Sequence, residues 1–257
     1  MGRWLRPRLG PGGFVYQFVR LGIRAISAAY VRVHVEGAER LPATGGYLVC
    51  FNHPSWLDAF FIAGWWPDRT RLLYIFGPRE ADMSVGIRNH LITWTGRGVP
   101  FQPKGADALD ATRRSLAVLR AGSALAVAGE GRLSDHEGMP LPFEPGVGHF
   151  AMLAKVPIVP LSVDGTRWVR FGGTVRLTIG EPIRPQQFGG GRGGAAQMSE
   201  AAHAAVLAGL TGVTDRPRPG PFGAWFSELF NDRPWLDQQP ADEQPADEQP
   251  ADEPPPV

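Results

Sequence analysis

A chain of 257 residues, 43% of them apolar, can bury one sizeable core, so one globular domain with appendages is expected. The formal charge is only +1, yet the C-terminal QPADEQPADEQPADEPPPV carries six carboxylates and no cation; the rest of the chain is about +7 and favours anionic partners such as phospholipid headgroups. The single cysteine, Cys50, excludes an internal disulfide and any cysteine-rich metal site, and its place at the end of an apolar run marks a buried thiol in a reducing, cytoplasmic setting.

Residues 14 to 31, FVYQFVRLGIRAISAAYV, read as a helix too short to span a bilayer, with Arg20 and Arg24 at its middle. Gln17, Arg20, Arg24 and Ser27 recur at helical spacing as one polar stripe, and Phe14, Phe18, Val19, Leu21, Ile23 and Ile26 cover the remainder. Arg3, Arg6 and Arg8 precede it without an acidic residue. Such a helix suits the headgroup region of a membrane, and packing on the protein's own core accounts for the pattern equally well.

VRVHVEG then alternates as a strand ending at Gly37, and GGYLVCFN follows as a more buried one. SWLDAFFIAGWW opens a helix with Ser55 as N-cap, RLLYIFG is a strand and VGIRNHLITWTG a helix. DALDATRRSLAVLRAG is an amphipathic helix with Leu109, Leu116 and Leu119 on one face and Gly122 as its stop. ALAVAG is a buried strand that delivers GEGRLS to its carboxyl end, and a helix through HFAMLAK leads to the strands PIVPLSV and TVRLTIG. This alternation predicts an α/β fold: a mixed, largely parallel sheet flanked by helices, with sites beyond the strand ends. FGGGRGG, residues 188 to 194, has no strand before it and no Lys-Ser or Lys-Thr after it, so it reads as a flexible surface loop. No G-x-S-x-G elbow occurs, which counts against a serine hydrolase.

The segment FNHPSWLD places His53 at a strand end and Asp58 in the first turn of the next helix. A carboxylate on one imidazole nitrogen fixes the tautomer and leaves the other lone pair free to take a proton, here from a hydroxyl brought by the substrate. Asp58 three residues after Ser55 fits a capping box equally well. The same His-x4-acid spacing recurs at His34 and Glu39, on an alternating strand and after a glycine turn, where it is structural.

Order and combination carry more information than that spacing. NHPSWLD, GVPFQPKG, AGEGRLS with PFEPGVG, and VPIVPLSV resemble, in sequence order over about residues 35 to 185, the four motif blocks of the glycerolipid acyltransferases related to 1-acylglycerol-3-phosphate acyltransferase. The resemblance implies transfer of a fatty acyl group from an acyl thioester, acyl-CoA or acyl-ACP, to a lysophospholipid hydroxyl in phospholipid biosynthesis. His53 would be the general base oriented by Asp58, without an acyl-enzyme and with no metal or cofactor. Asn52, Glu130, Gly131 and Arg132 fall in blocks associated with the site and acceptor binding. Where relatives usually present an arginine soon after the second block's V-P step, Gln102 and Pro103 stand here; Arg97 and Lys104 are the nearest cations for an acceptor phosphate. The third block reads Val127-Ala128-Gly129-Glu130-Gly131-Arg132 in place of the common Phe-Pro-Glu-Gly-Thr-Arg.

The expected organisation is a basic amphipathic membrane-associating segment over 1–34, an acyltransferase domain over 35–215, an aromatic segment over 216–237 and a disordered acidic tail over 238–257. Trp56, Phe60, Phe61, Trp65 and Trp66 divide between core and an acyl- or membrane-facing surface. WFSELFNDRPW, residues 225 to 235, is a second interfacial element or a helix docked on the body. The expected partners are a membrane phospholipid surface, a lysolipid and the acyl donor, with no nucleic acid, at the cytoplasmic face of the cell membrane. A glycolipid or amino-lipid acceptor, or a non-catalytic lipid-binding relative, are the alternatives.

Overall fold

The computed structural model describes residues 14–78, 97–101, 107–134 and 136–228. The expected helix in VGIRNHLITWTG, Lys104 and the acidic tail lie outside them. In chain order the elements are α1 (Phe14–Tyr30), β1 (Arg32–Glu36), β2 (Tyr47–Phe51), α2 (Leu57–Trp65), β3 (Leu73–Pro78) and β4 (Gly98–Phe101). They continue with α3 (Asp107–Arg120), β5 (Ala124–Ala128), α4 (Gly146–Ala154), β6 (Ile158–Asp164), β7 (Thr174–Ile179), α5 (Gly191–Gly209) and α6 (Pro221–Glu228).

Seven strands form one sheet in the order β1-β7-β6-β2-β5-β3-β4. All neighbours are parallel except β6 and β7, so the sheet is mixed and largely parallel as the alternation of elements predicts. The central strands are apolar on both sides because both faces are covered. Along β2, Leu48 and Cys50 point into one core with Leu125, Val127 and Ile158, while Tyr47, Val49 and Phe51 point into the other with Ala126, Val159 and Leu161. Helices α3, α4 and α5 cover the first face through Leu119, Val147, Ala151, Met198 and Val206, and α2 covers the second through Ala59 and Ile62.

The chain leaves β2 by α2 onto one face and leaves the neighbouring β5 by α4 onto the other. That divergence opens a crevice at the carboxyl ends of the two strands, where a doubly covered sheet places its sites. The segments following β2, β5 and β6 all meet at this rim.

Helix α1 packs on α2 with Arg20, Arg24 and Ser27 of its polar stripe inward beside Tyr16, Val19 and Ile23, while Gln17 is exposed. Arg20, 9% exposed, donates to the carbonyls of Gly64 (3.2 Å) and Trp66 (2.6 Å), which lie at the C-terminal end of α2 and attract a cation. Ser27 accepts from Trp65 Nε1, and Arg24 lies 4.5 Å over the Trp65 ring. A side chain at Gly64 would strike Ile23, its Cβ falling 2.6 Å from Cγ2, so the glycine is what lets the two helices meet. The rest of the apolar stripe consequently faces outward: Phe14 is 85% exposed, Phe18 62%, Leu21 67% and Ile26 75%. The helix crosses from Tyr16, beside Arg97 at the β4 edge, to Tyr30, whose carbonyl accepts from Gly172 N next to β7.

Two of these expectations need correction, and one strand was not foreseen. Residues 191–194 of FGGGRGG form the first turn of α5 rather than a loop, and a Cβ at Gly194 would fall 1.7 Å from Gly189 O, so tight entry into the helix demands glycine there. Leu109 is 68% exposed, and the buried face of α3 is instead built from Ala111, Ser115, Val118 and Leu119. GVPF, read only as part of a motif block, is the edge strand β4.

Candidate active site

The rim segment after β2 is held by its own polar residues. Asn52, fully buried, donates Nδ2–H to Val163 O (2.9 Å) and accepts from Val163 N at Oδ1 (2.7 Å), extending the β2–β6 pairing past the end of the strand with a side chain. The next residue, His53, is thereby lifted out of the sheet at a fixed point. Its ring stacks edge-on between Phe51 (5.8 Å) and Trp56 (5.3 Å).

His53 Nδ1 lies 2.9 Å from Asp58 Oδ2, and the contact assigns the proton to Nδ1, because a carboxylate accepts. The same oxygen accepts from Ser55 N (3.1 Å), while Ser55 Oγ accepts from Leu57 N (3.2 Å). The helix starts one residue later than expected, with Trp56 rather than Ser55 as its N-cap, and the Ser55–Asp58 hydrogen bonds of the turn leading into α2 also aim the carboxylate at the imidazole. Asp58 is fully buried, which pushes its carboxyl above the usual range; the His53 hydrogen bond and charge, the nearby Thr166 hydroxyl and the Ser55 N–H act against that rise.

Glu130 enters from the segment after β5. Gly129 N donates to Phe51 O (2.9 Å), tying the two rim segments together, and Glu130 accepts from His53 N at Oε1 (2.7 Å) and from Leu141 N at Oε2 (2.7 Å). Ser134 N donates back to His53 O (2.9 Å), so both backbone groups of His53 are held by the β5 segment. Burial pushes the Glu130 carboxyl up, against those two N–H groups and the His53 charge. Gly131 has φ of 69° and a Cβ there would lie 3.1 Å from Glu144 Cγ, so glycine serves the sharp turn after Glu130. Arg132 is exposed at the rim.

Two residues that sequence reasoning passed over complete the arrangement. Thr166, in the turn after β6, is fully buried and bears on Asp58. Glu137, also fully buried, accepts from Gly165 N and Arg167 N (both 2.9 Å), fixing the backbone on either side of Thr166. The legible signal was Asp164-Gly165-Thr166, a glycine turn at the carboxyl end of a buried strand.

The remaining sequence candidates fall elsewhere. Arg97 is 4% exposed, donates to Tyr74 Oη (2.9 Å) and lies over the Tyr16 and Tyr74 rings. It is level with Val49, four residues before His53 along the sheet, where it lines an apolar pocket beneath α1 with Tyr16, Phe60 and Ile75. His34 and Glu39 are exposed, with Glu39 beside Arg40. Cys50 is fully buried, and burial pushes its thiol well up, as befits an unreactive core residue. Phe61 and Trp66 are core, whereas Trp56, Phe60 and Trp65 are half-buried.

The profile of the acyltransferase family matches residues 32–164, from β1 through β6, and so takes in His53, Asp58 and Glu130. The chain belongs to the acyltransferase family. It is similar to 1-acyl-sn-glycerol-3-phosphate acyltransferase alpha of Mus musculus, 30% identical over 142 residues that cover 51% of this chain and 45% of the relative. The match thus spans less than half of that relative's length. The crystal structure of the 1-acyl-sn-glycerophosphate (LPA) acyltransferase PlsC from Thermotoga maritima shares the fold, with a TM-score of 0.60 at 24% identity over 79% of this chain and 81% of that one. The family match leaves out α1, Thr166 and everything after β6.

Proposed function

We propose that the protein transfers a fatty acyl group from an acyl thioester, acyl-CoA or acyl-ACP, to a lysophospholipid hydroxyl such as that of 1-acylglycerol-3-phosphate. The observation that carries the reading is the buried 2.9 Å contact between His53 Nδ1 and Asp58. With the proton on Nδ1, Nε2 offers its lone pair to the acceptor hydroxyl. As the oxygen attacks the thioester carbonyl, its proton passes to Nε2, and Asp58 stabilises the imidazolium that forms. Collapse of the tetrahedral intermediate breaks the C–S bond, and the thiolate takes the proton back. Neither serine nor cysteine is needed as nucleophile.

Glu130 and Asn52, with their side chains on backbone groups, position His53 in this reading, and Arg132 at the rim meets the acceptor headgroup, for which Lys104 is the further cation that the sequence offers. The membrane is the natural second substrate surface. No described helix is long and apolar enough to cross a bilayer. The outward ridge of Phe14, Phe18, Leu21 and Ile26 supports a peripheral association in which α1 lies in the headgroup region, drawn to the cytoplasmic face by a basic body.

The test is acyl transfer from labelled long-chain acyl-CoA, and separately from acyl-ACP, to a panel of lysolipids by wild type and His53→Ala. Loss of the base is expected to lower kcat by roughly 10²–10⁴-fold. An equal rate in the variant would remove His53 from the chemistry, and no product from wild type with either donor would leave lipid binding without turnover.

A further inference from the structure

We propose that Phe171, Phe222 and Trp225 form a second lipid-contacting surface, whose occupant is the headgroup layer of an anionic bilayer. The inference rests on the membrane part of the reading above. Helix α6 docks by one side: Ala224 and Ser227 are buried, and Ser227 Oγ accepts from Val169 N (3.1 Å). Its other side leaves Phe222 67% and Trp225 57% exposed, with their rings 5.8 Å apart. Phe171, 77% exposed, stands in the loop between β6 and β7.

Continuity with α1 identifies what covers these rings. Tyr30, the last residue of α1, lies 5.8 Å edge-on to Phe171 and 5.7 Å from Phe226 of α6. The aromatic cluster therefore begins where the apolar ridge of α1 ends. Its composition is that of an interfacial element, since tryptophan and tyrosine join an apolar body to a polar tip and concentrate at headgroup level. A cation borders it, Arg170, which donates to Pro217 O, and the carboxylate at the end of α6, Glu228, is neutralised by Arg218. Such a border favours anionic lipid. A second copy of the chain is the weaker occupant, because three rings bury at most roughly 150–250 Å² each, short of the ~800 Å² per partner of a stable interface.

The location gives the contact a purpose. The loop that carries Phe171 begins at Gly165 and Thr166, beside Asp58, so the patch shares the carboxyl rim of the sheet with His53. One helix lying in the interface leaves the body free to roll about it. A second contact on a separate element selects the orientation in which the rim meets the lipid, where a lysolipid presents its hydroxyl.

Cys50 is fully buried, so one cysteine introduced on the surface can be labelled selectively with an environment-sensitive fluorophore. The full-length chain would carry the label at Phe222→Cys, Trp225→Cys, Phe18→Cys on α1, or Gln197→Cys on exposed α5 of the opposite face. Vesicles of phosphatidylglycerol and phosphatidylcholine with an acyl-chain quencher should blue-shift and quench the labels at 222, 225 and 18 but not at 197. A response at 18 with none at 222 and 225 would overturn the second contact and leave the α1 reading standing; no response at any position would overturn both. Labels at 222 and 225 already shielded in buffer would show the patch covered by protein and also overturn it. Independently, combining Phe171→Ser, Phe222→Ser and Trp225→Ser should weaken vesicle binding about tenfold at unchanged Tm, since apolar burial scales with area removed from water; undiminished binding counts against the proposal.

Discussion

At the residue scale, Glu130 accepts two backbone N–H groups from segments 77 and 11 residues away, and one of them is the N–H of His53. Glu130→Gln presents an amide NH₂ to one of those donors. We expect a loss of about 1–3 kcal/mol of stability and a fall in kcat with little change in acceptor KM, read from urea unfolding and steady-state kinetics. A raised acceptor KM at unchanged stability would mean that Glu130 touches substrate instead. Thr166 is a positioning residue of another kind, acting on Asp58. Thr166→Val removes a buried hydroxyl from beside Asp58 and should lower kcat severalfold at constant KM, and Thr166→Ser should restore it; a fall in Tm at unchanged kcat would reduce it to packing. The His53–Asp58 pair was visible in the sequence because helix starts have a fixed geometry. The two readings of Asp58, cap and proton chemistry, were indistinguishable there because one carboxylate oxygen both accepts from Ser55 N in the turn into α2 and meets His53 Nδ1. Thr166 was hidden since its link to Asp58 spans 108 positions, and only the pairing of β2 with β6 brings them together.

At the scale of elements, the end of α2 and the following turn are fixed by Arg20 from outside and by Asp68 from within. Asp68 is partly desolvated, but hydrogen bonds from Thr70, Tyr47 and Arg71 outweigh burial and hold its carboxyl down at about 2, against an ordinary 3.8. A depressed folded value stabilises the protein in full above 3.8, and this contribution is lost as pH falls towards about 2. Asp68→Asn should therefore be less stable at neutral pH and should lose less stability on acidification through that window, followed by circular dichroism; a parallel acid limb in both proteins would contradict the assignment. Helix α1 shows how far periodicity reaches. The stripes held only in part, with Gln17 exposed and Val19 and Ile23 turned inward, and which side faced the protein was not readable, because Arg20 and Arg24 satisfy themselves on carbonyls and a tryptophan face at the end of α2 that are far off in sequence. The glycines opening α5 misled for a related reason: Gly194 is required by a close backbone approach to Gly189 and Gly191 by a positive φ of 77°, features that helix propensity does not report.

For the whole molecule, the sheet order places β2 between β5 and β6, so that the three rim segments carrying His53, Glu130 and Thr166 converge. The outward ridge of α1 is independent of this convergence. Phe14→Ser, Phe18→Ser and Leu21→Ser together should release the protein from anionic vesicles at unchanged Tm. Raising salt to shrink the Debye length from about 10 Å to about 3 Å should weaken the intact protein's binding, as co-sedimentation would show. Binding equal in variant and wild type would transfer the membrane role to other surfaces.

The sequence by itself determined the strand and helix alternation of the body, the buried state of Cys50, the local His53–Asp58 construction and the resemblance to a family of acyltransferases. These are properties of short segments, set by side-chain period, capping chemistry and motif order. Only the tertiary structure decided that Glu130 and Asn52 grip backbone, that Arg97 belongs to the packing under α1, that Thr166 bears on Asp58 and that α1 turns its apolar side outward. Each of these depends on which distant backbone group lies within hydrogen-bond reach, a quantity that strand order and helix crossing set and that no local pattern encodes.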